Sequence, residues 1–213
     1  MNVTRPALNE LVTMDISDAA ARYYEEEADI KGLRITGTAL NGSFTRLGFS
    51  KVVFDRCRLS GCDFSNCDFI DVVFESCDLS GCRFREGYFQ RVEFAQVKAV
   101  GAGFGEAVFK NFAVRDSNLS YASFAKSKFE RAYMSGEMHD ASFAECVLKS
   151  FRFENADLTR ADFFKTSLKG QDLRSCRIDG IVVSDGLSEL RGAVVDMYQA
   201  AALAMRLGVE VKY

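Results

Sequence analysis

The sequence predicts an all-β solenoid: a four-sided coil of short extended segments, closed at its C-terminal end by one helix. Three observations carry the prediction. Large apolar residues return every five positions, a second pattern returns every twenty, and residues 184–213 abandon both. A period of five matches neither a helix at 3.6 nor a strand at 2, so each five-residue unit must bend the chain.

The five-residue column, here called position i, begins Phe44, Phe49, Phe54, Leu59, Phe64 and runs unbroken to Met134. It slips by one residue, resumes at Met138 and ends at Val183. Sixteen of the chain's 19 Phe stand in it. Position i−2 is smaller: Val52, Cys57, Cys62 and Cys67, then Ala102, Ala107, Ala122 and Ala132. Positions i−1, i+1 and i+2 are mostly polar, so i and i−2 face inward and the other three face water.

The longer period shows where "CRLSGCDF" at 57–64 returns as "CDLSGCRF" at 77–84. Val52, Val72 and Val92 keep the same spacing, the bulky Phe112 continues it, and Gly61, Gly81 and Gly101 repeat it. Twenty residues are four fives, so one turn has four sides and equal sides stack at the strand spacing. The column from Phe44 to Val183 makes about seven turns, a rod roughly 35 Å long at ~4.8 Å per turn.

All seven cysteines fall at i−2. Their number is odd, and the spacing in "SGCDFSNC" is C-x4-C rather than the C-x2-C of zinc sites. They read as small inward-facing residues, interchangeable with Ala and Val. Cys57 and Cys77 stack one turn apart, but parallel side chains in a reducing compartment argue against a bridge.

The chain divides into an N-terminal cap or lead-in (1–27), the coil (28–183) and a C-terminal cap (184–213). "DISDAAARYYEEE" at 15–27 reads as a helix capped by Asp15 or Ser17, or as an irregular strand. "DMYQAAALAMRLG" at 196–208 reads as a helix: Asp196 caps it, Gln199 completes a capping box and Gly208 ends it. "VEVKY" then alternates like an edge strand. This helix is apolar nearly all round. One face covers the open end of the rod; the other is either buried in a monomeric cap or shared with a second copy across a two-fold axis. The homodimer reading assigns the interface to Tyr198, Ala201, Leu203, Met205, Leu207, Val209 and Val211.

Composition excludes several functions. Net charge is −3, and there is no apolar run of 18 residues. Direct nucleic-acid binding and a membrane role are therefore not expected. "MNVTRPALNELVTMD" has no apolar signal core, so a cytoplasmic location is expected. The lone His139 lies at the slip with no constellation to serve it, and no glycine loop is built for phosphate. An enzyme is not expected, nor a cofactor or metal.

"ADIKG" (28–32), "ADLTR" (156–160) and "ADFFK" (161–165) resemble the consensus of the pentapeptide-repeat family. That resemblance implies a right-handed quadrilateral β-helix. The tail "LRGAVVDMYQAAALAMRLGVEV" and the stretch "SNLSYASFAKSKF" resemble the quinolone-resistance (Qnr) subfamily. The likeness implies dimeric rods joined tail to tail, which bind DNA gyrase and topoisomerase IV, protect them from fluoroquinolones and imitate duplex DNA. Plasmid-borne members carry two projecting loops. Here the register is unbroken from Phe44 to Met134, so the chain resembles a loopless type.

Mimicry by a uniform anionic rod is excluded, because residues 41–183 hold 20 Lys+Arg against 19 Asp+Glu. One side, however, gives a carboxylate on nearly every turn: Asp55, Glu75, Glu93, Asp116, Glu154 and Asp172. This row fits a basic DNA-binding saddle, or it is a solvated face paired off by Arg56, Arg115, Arg152 and Arg174. The side holding Phe49, Phe69, Phe89 and Phe109 carries seven basic and three acidic residues. The alternative to a topoisomerase ligand is a structural or interaction solenoid with an unrelated protein partner.

Overall fold

A computed structural model describes residues 3–8, 10–14, 16, 18, 30–37, 39 and 41–212. Its repeating device is a left-handed corner. Every i+2 residue from Arg46 (φ 62°) through Tyr121 (61°) and Lys165 (57°) to Gly170 (79°) has positive φ. An L-residue resists this conformation by roughly 1–2 kcal/mol. The corners therefore exist because of what they bring together. Glycine takes the corner at Gly61, Gly81 and Gly101, but Arg, Lys, Glu and Tyr take it elsewhere.

Among the described residues nine parallel strands result: β1 (Val12–Thr13), β2 (Ile30–Lys31), β3 (Leu33–Thr36), β4 (Gly48–Asp55), β5 (Asp68–Glu75), β6 (Tyr88–Ala95), β7 (Val108–Asn118), β8 (Lys128–Glu137) and β9 (Val147–Asp157). They pair in the order β1-β3-β4-β5-β6-β7-β8-β9, with β2 also on β4. From β4 onward each long strand spans two sides of the square. The other two sides are held by single bridges such as Arg58↔Asp78 and Asp63↔Arg83. Between β4 and β8 the register advances by one turn of the predicted length, as in Phe49↔Phe69↔Phe89↔Phe109.

The predicted slip is a one-residue deletion inside β8. Val114 pairs with Met134 but Ser117 with Gly136, and the neighbouring ladder makes the complementary jump from Met134↔Phe153 to Gly136↔Ala156. Gly136 absorbs it at φ 108°, where a β-carbon would lie 2.2 Å from the Ser117 carbonyl oxygen. A second slip escaped sequence reading. Ile30 pairs with Phe49 and Ile35 with Phe54, whereas Ser43 pairs with Asp63. The inward column thus begins at Ile30, one step out of phase with Phe44.

Phe rings fill the axis. Phe44, Phe64, Phe84, Phe104, Phe124, Phe143 and Phe163 stack in an unbroken ladder with centroids 4.8–5.4 Å apart and planes within 19°. A second ladder runs from Phe49 to Phe129. The cysteines do more than fill space. Cys67 Sγ donates to the Phe44 carbonyl at 2.9 Å, Cys82 to Leu59 at 2.8 Å and Cys146 to Phe124 at 3.0 Å. Ser127 and Thr166 make the same bond from the same i−2 position, to Phe104 and Phe143. Burial pushes the thiols of Cys67, Cys82 and Cys146 up to about 12, so they stay protonated donors. Cys67, Cys77, Cys82, Cys146 and Cys176 are buried thiols outside any disulfide.

At the C-terminal end, Glu189 lies buried in a 3₁₀ turn (Ser188–Leu190). Its carboxylate accepts from Ser184 Oγ (2.7 Å) and from the backbone N–H groups of Lys165 (3.0 Å) and Ser184 (3.2 Å). Helix α1 (Met197–Arg206) follows with the predicted capping box intact. Residues 209–212, expected as an edge strand, form none. A strand needs a ladder, and among the described residues this tail pairs with no strand. Of the lead-in 15–27 only Ile16 and Asp18 are described; Ile16 is fully buried in the core and Asp18 is exposed. The rest of the segment, expected as a helix or an irregular lead-in strand, lies outside the described residues.

Candidate interaction surfaces

The acidic row lies on one side of the coil: Asp55 and Glu75 are ladder partners, Glu93, Asp116 and Glu154 stand at other positions of their strands, and Asp172 follows the last strand. Four of its members hold an arginine. Asp55 contacts Arg56 at 3.1 Å and Arg34 at 3.5 Å, and Glu93 contacts Arg115 at 3.0 Å. Glu154 contacts Arg152 at 3.0 Å, and Asp172 contacts Arg174 at 2.7 Å. Hydrogen bonds from the Arg174 side chain and backbone N–H draw the Asp172 carboxyl down to about 2. The Arg115 guanidinium also lies over the Tyr133 ring at 5.1 Å. Glu75 and Asp116 are exposed and, among the described residues, carry no ion pair. The row is thus four neutralised couples with two open carboxylates between them. The Asp172 couple stands in water, where solvent screening keeps an ion pair weak and a partner could re-sort it cheaply, whereas Asp55 and Glu93 are largely covered. Where the last turn leaves the strand ladder, a groove opens between Arg152, Glu154, Asp172 and Arg174.

Helix α1 sits on the rod's end through polar clamps as well as apolar contact. Gln199 Nε2 donates to the carbonyls of Leu173 (2.9 Å) and Cys176 (2.8 Å), and Arg206 donates to that of Ile181 (2.5 Å). Leu203 packs against the core, while Ala201 and Val211 are half-buried. Tyr198, Met205, Leu207 and Val209 face out at 70%, 51%, 56% and 52% exposure, joined by Met197 at 73%. Sequence reading did not single out Met197, although it lies one residue before Tyr198. Nor did it find the clamps, since Gln199 serves both the cap and the coil and Arg206 points inward.

His139 joins a surface knot. Its Nδ1 lies 3.0 Å from Asp140, its ring meets Tyr121 edge-on at 5.1 Å, and Arg160 grips Asp140 through two bonds of 2.8 and 2.6 Å. Arg160 first and His139 second hold the Asp140 carboxyl far below the usual range. Among the described residues no three His, Cys, Asp or Glu side chains converge as metal ligands, and no helix is long and apolar enough to cross a membrane.

Two family models match the chain, a pentapeptide repeat region over residues 47–124 and pentapeptide repeats in eight copies over 138–180. The gap between them brackets the deletion at Gly136. No curated protein matches. Among solved structures, a trypsin-treated variant of QnrB1, a plasmid-mediated fluoroquinolone resistance protein, is 24% identical with a TM-score of 0.57. The match covers 98% of this chain and 99% of that one. Full-length QnrB1 is 23% identical over 95% and 98%, at 0.55. HetL from the cyanobacterium Nostoc, involved in heterocyst differentiation regulation, is 16% identical over 85% and 97%, and at 0.33 it is too distant to bear on function.

Proposed function

The chain belongs to the pentapeptide-repeat proteins, and we propose that it is a non-enzymatic ligand of a type II topoisomerase. It binds DNA gyrase or topoisomerase IV and shields the enzyme from a fluoroquinolone or a related toxin. The observation that carries this reading is an uninterrupted rod that ends in an exposed apolar helix, matched nearly end to end by a fluoroquinolone resistance protein. The exposed helix supports a homodimer in which Tyr198, Met205, Leu207 and Val209 meet their copies, because monomers seldom expose apolar patches of this size. The acidic row supports partial mimicry of DNA: Glu75 and Asp116 offer carboxylates directly, and the arginine-held members offer theirs by exchange. Such a target places the protein in the cytoplasm.

The test is a gyrase supercoiling assay with purified protein, with and without ciprofloxacin. Rescue of supercoiling in the presence of drug, or inhibition without it, is expected at micromolar protein. Neither effect at that concentration would sink the reading and leave an interaction rod with an unrelated partner.

A further inference from the structure

The two charged sides of the rod differ in what their charges already touch. On the acidic side most carboxylates hold an arginine. On the adjoining side the first turns are also neutralised at home. Arg91 grips Asp71 through bonds of 2.6 and 2.7 Å. The N-terminal segment crosses there as well: the Ala7 N–H donates to Asp71 at 2.9 Å and the Thr4 N–H to Asn111 at 3.4 Å. Three extended residues reach ~10 Å and two turns of coil rise ~9.6 Å, so this segment runs along the rod axis and covers turns two to four of that corner.

Beyond it the same side changes character. Lys110, Lys128, Lys149 and Lys169 come from successive turns, over about 14 Å of rod at ~4.8 Å per turn. The last three are exposed. Among the described residues, none of the four ammonium groups forms an ion pair. Lys110 leans on the Tyr88 ring at 5.4 Å, and Glu130, the one carboxylate in this stretch, stands in the ladder between Lys110 and Lys149 and forms its ion pair with Arg131 at 3.7 Å. In the middle of the lysines, paired in the ladder with Lys128, stands Val147 at 57% exposure.

We propose that this half-face, from Lys110 to Lys169, is a docking surface for an acidic protein segment, one that sets carboxylates around an apolar side chain seated on Val147. The attraction is available at once, because these lysines have no internal pair to break, whereas a basic partner on the acidic side must first displace arginines. An apolar centre inside a polar, charged rim is the anatomy of a protein interface. A nucleic acid fits less well. The chain is net negative, the adjoining side bears carboxylates, and among the described residues the exposed rings of Tyr121 and Phe164 belong to other sides of the coil. The proposal is independent of the topoisomerase reading and holds for whichever protein the rod meets.

The experiment measures binding of the full chain to immobilised poly-L-glutamate and to a short DNA duplex, at low and at physiological salt. Wild-type protein is expected to hold poly-L-glutamate at low salt and release it as salt screens the face. The triple variant K128E/K149E/K169E should weaken that binding by about tenfold or more. A triple reversal on another side, R83E/R85E/K126E, should leave it within about twofold. The single change Lys149→Gln gives a smaller loss and guards against misfolding of the triple. No binding by the wild type, or equal losses in both triple variants, overturns the proposal. So does tighter binding to the duplex that the first triple abolishes, which would assign the face to nucleic acid.

Discussion

Two columns of the same coil solve the same packing problem differently. The ladder through Phe44 and Phe163 stacks seven rings without a break. The column two sides on begins the same way, with Phe54 and Phe74 4.6 Å apart at 2°, then turns: Phe94 meets Phe74 at 77°. The cause is one turn further along. Phe112 occupies i−2, where its neighbours in the ladder carry Val92 and Ala132, and the i residue beside it shrinks to Val114. Phe112 packs on Phe109 at 4.6 Å and edge-on to Phe94 at 5.2 Å. Bulk gained at i−2 is given up at i. At this turn the coil conserves volume rather than a residue type per position, as close packing requires, whereas two turns on Phe151 and Phe153 fill both positions.

The largest expected effect is at the centre of the continuous ladder. Phe104→Ala removes a ring stacked at 4.9 and 4.8 Å on its two neighbours, and should cost about 3–5 kcal/mol in denaturant unfolding. A loss below about 1 kcal/mol would show that the ladder is not the stabilising element. The turned column offers a sharper test. Val114→Phe alone overpacks the side and should cost about 1–3 kcal/mol. Combined with Phe112→Ala it should recover to within about 1.5 kcal/mol of wild type. Strict additivity of the two single changes would break the volume argument.

The next effect lies at the rod's end, where a carboxylate replaces aromatic packing. Burial alone would raise the pKa of Glu189, but the hydrogen bonds from Ser184 and Lys165 overcome it and hold the carboxyl at about 2. A depressed carboxylate stabilises the fold above its ordinary value of 4.5, and that contribution is lost as pH falls through about 2. Glu189→Gln should cost about 1–3 kcal/mol at neutral pH and flatten the melting temperature between about pH 5 and 2. An unchanged acid limb would remove Glu189 from that role. The smallest effect concerns the thiols. Cys67→Ala deletes the bond to the Phe44 carbonyl and should cost about 1 kcal/mol, while Cys67→Ser, which copies Ser127, should come closer to wild type.

Much of this architecture was legible because it is periodic. Phe at i and small residues at i−2 report the square directly, and the capping box of α1 is a local pattern with one geometric solution. The left-handed corners were not legible at Arg46, Lys126 or Tyr121, since side chains of that kind usually avoid positive φ. Only the coil's closure imposes it. The slip before Phe44 was hidden because no Phe marks the column there. The N-terminal segment on Asp71 and the buried Glu189 occur once each, and a single contact between distant residues leaves no period to find. For the acidic row, the carboxylates were visible but their state was not. Pairing of Glu93 with Arg115, more than a full turn away, depends on side-chain paths that spacing alone does not encode.

The missing residue at Gly136 has a consequence for how such rods change length. The coil loses phase in one side and recovers it before the next turn is complete, because Phe124 and Phe143 still stack at 4.9 Å and 8° across the gap. The structure is therefore phase-correcting: an irregularity is confined to the segment that carries it and is not passed down the axis. A seam of this kind lets the coil change length by less than a whole repeat while the ladder through Phe124 and Phe143 stays in step.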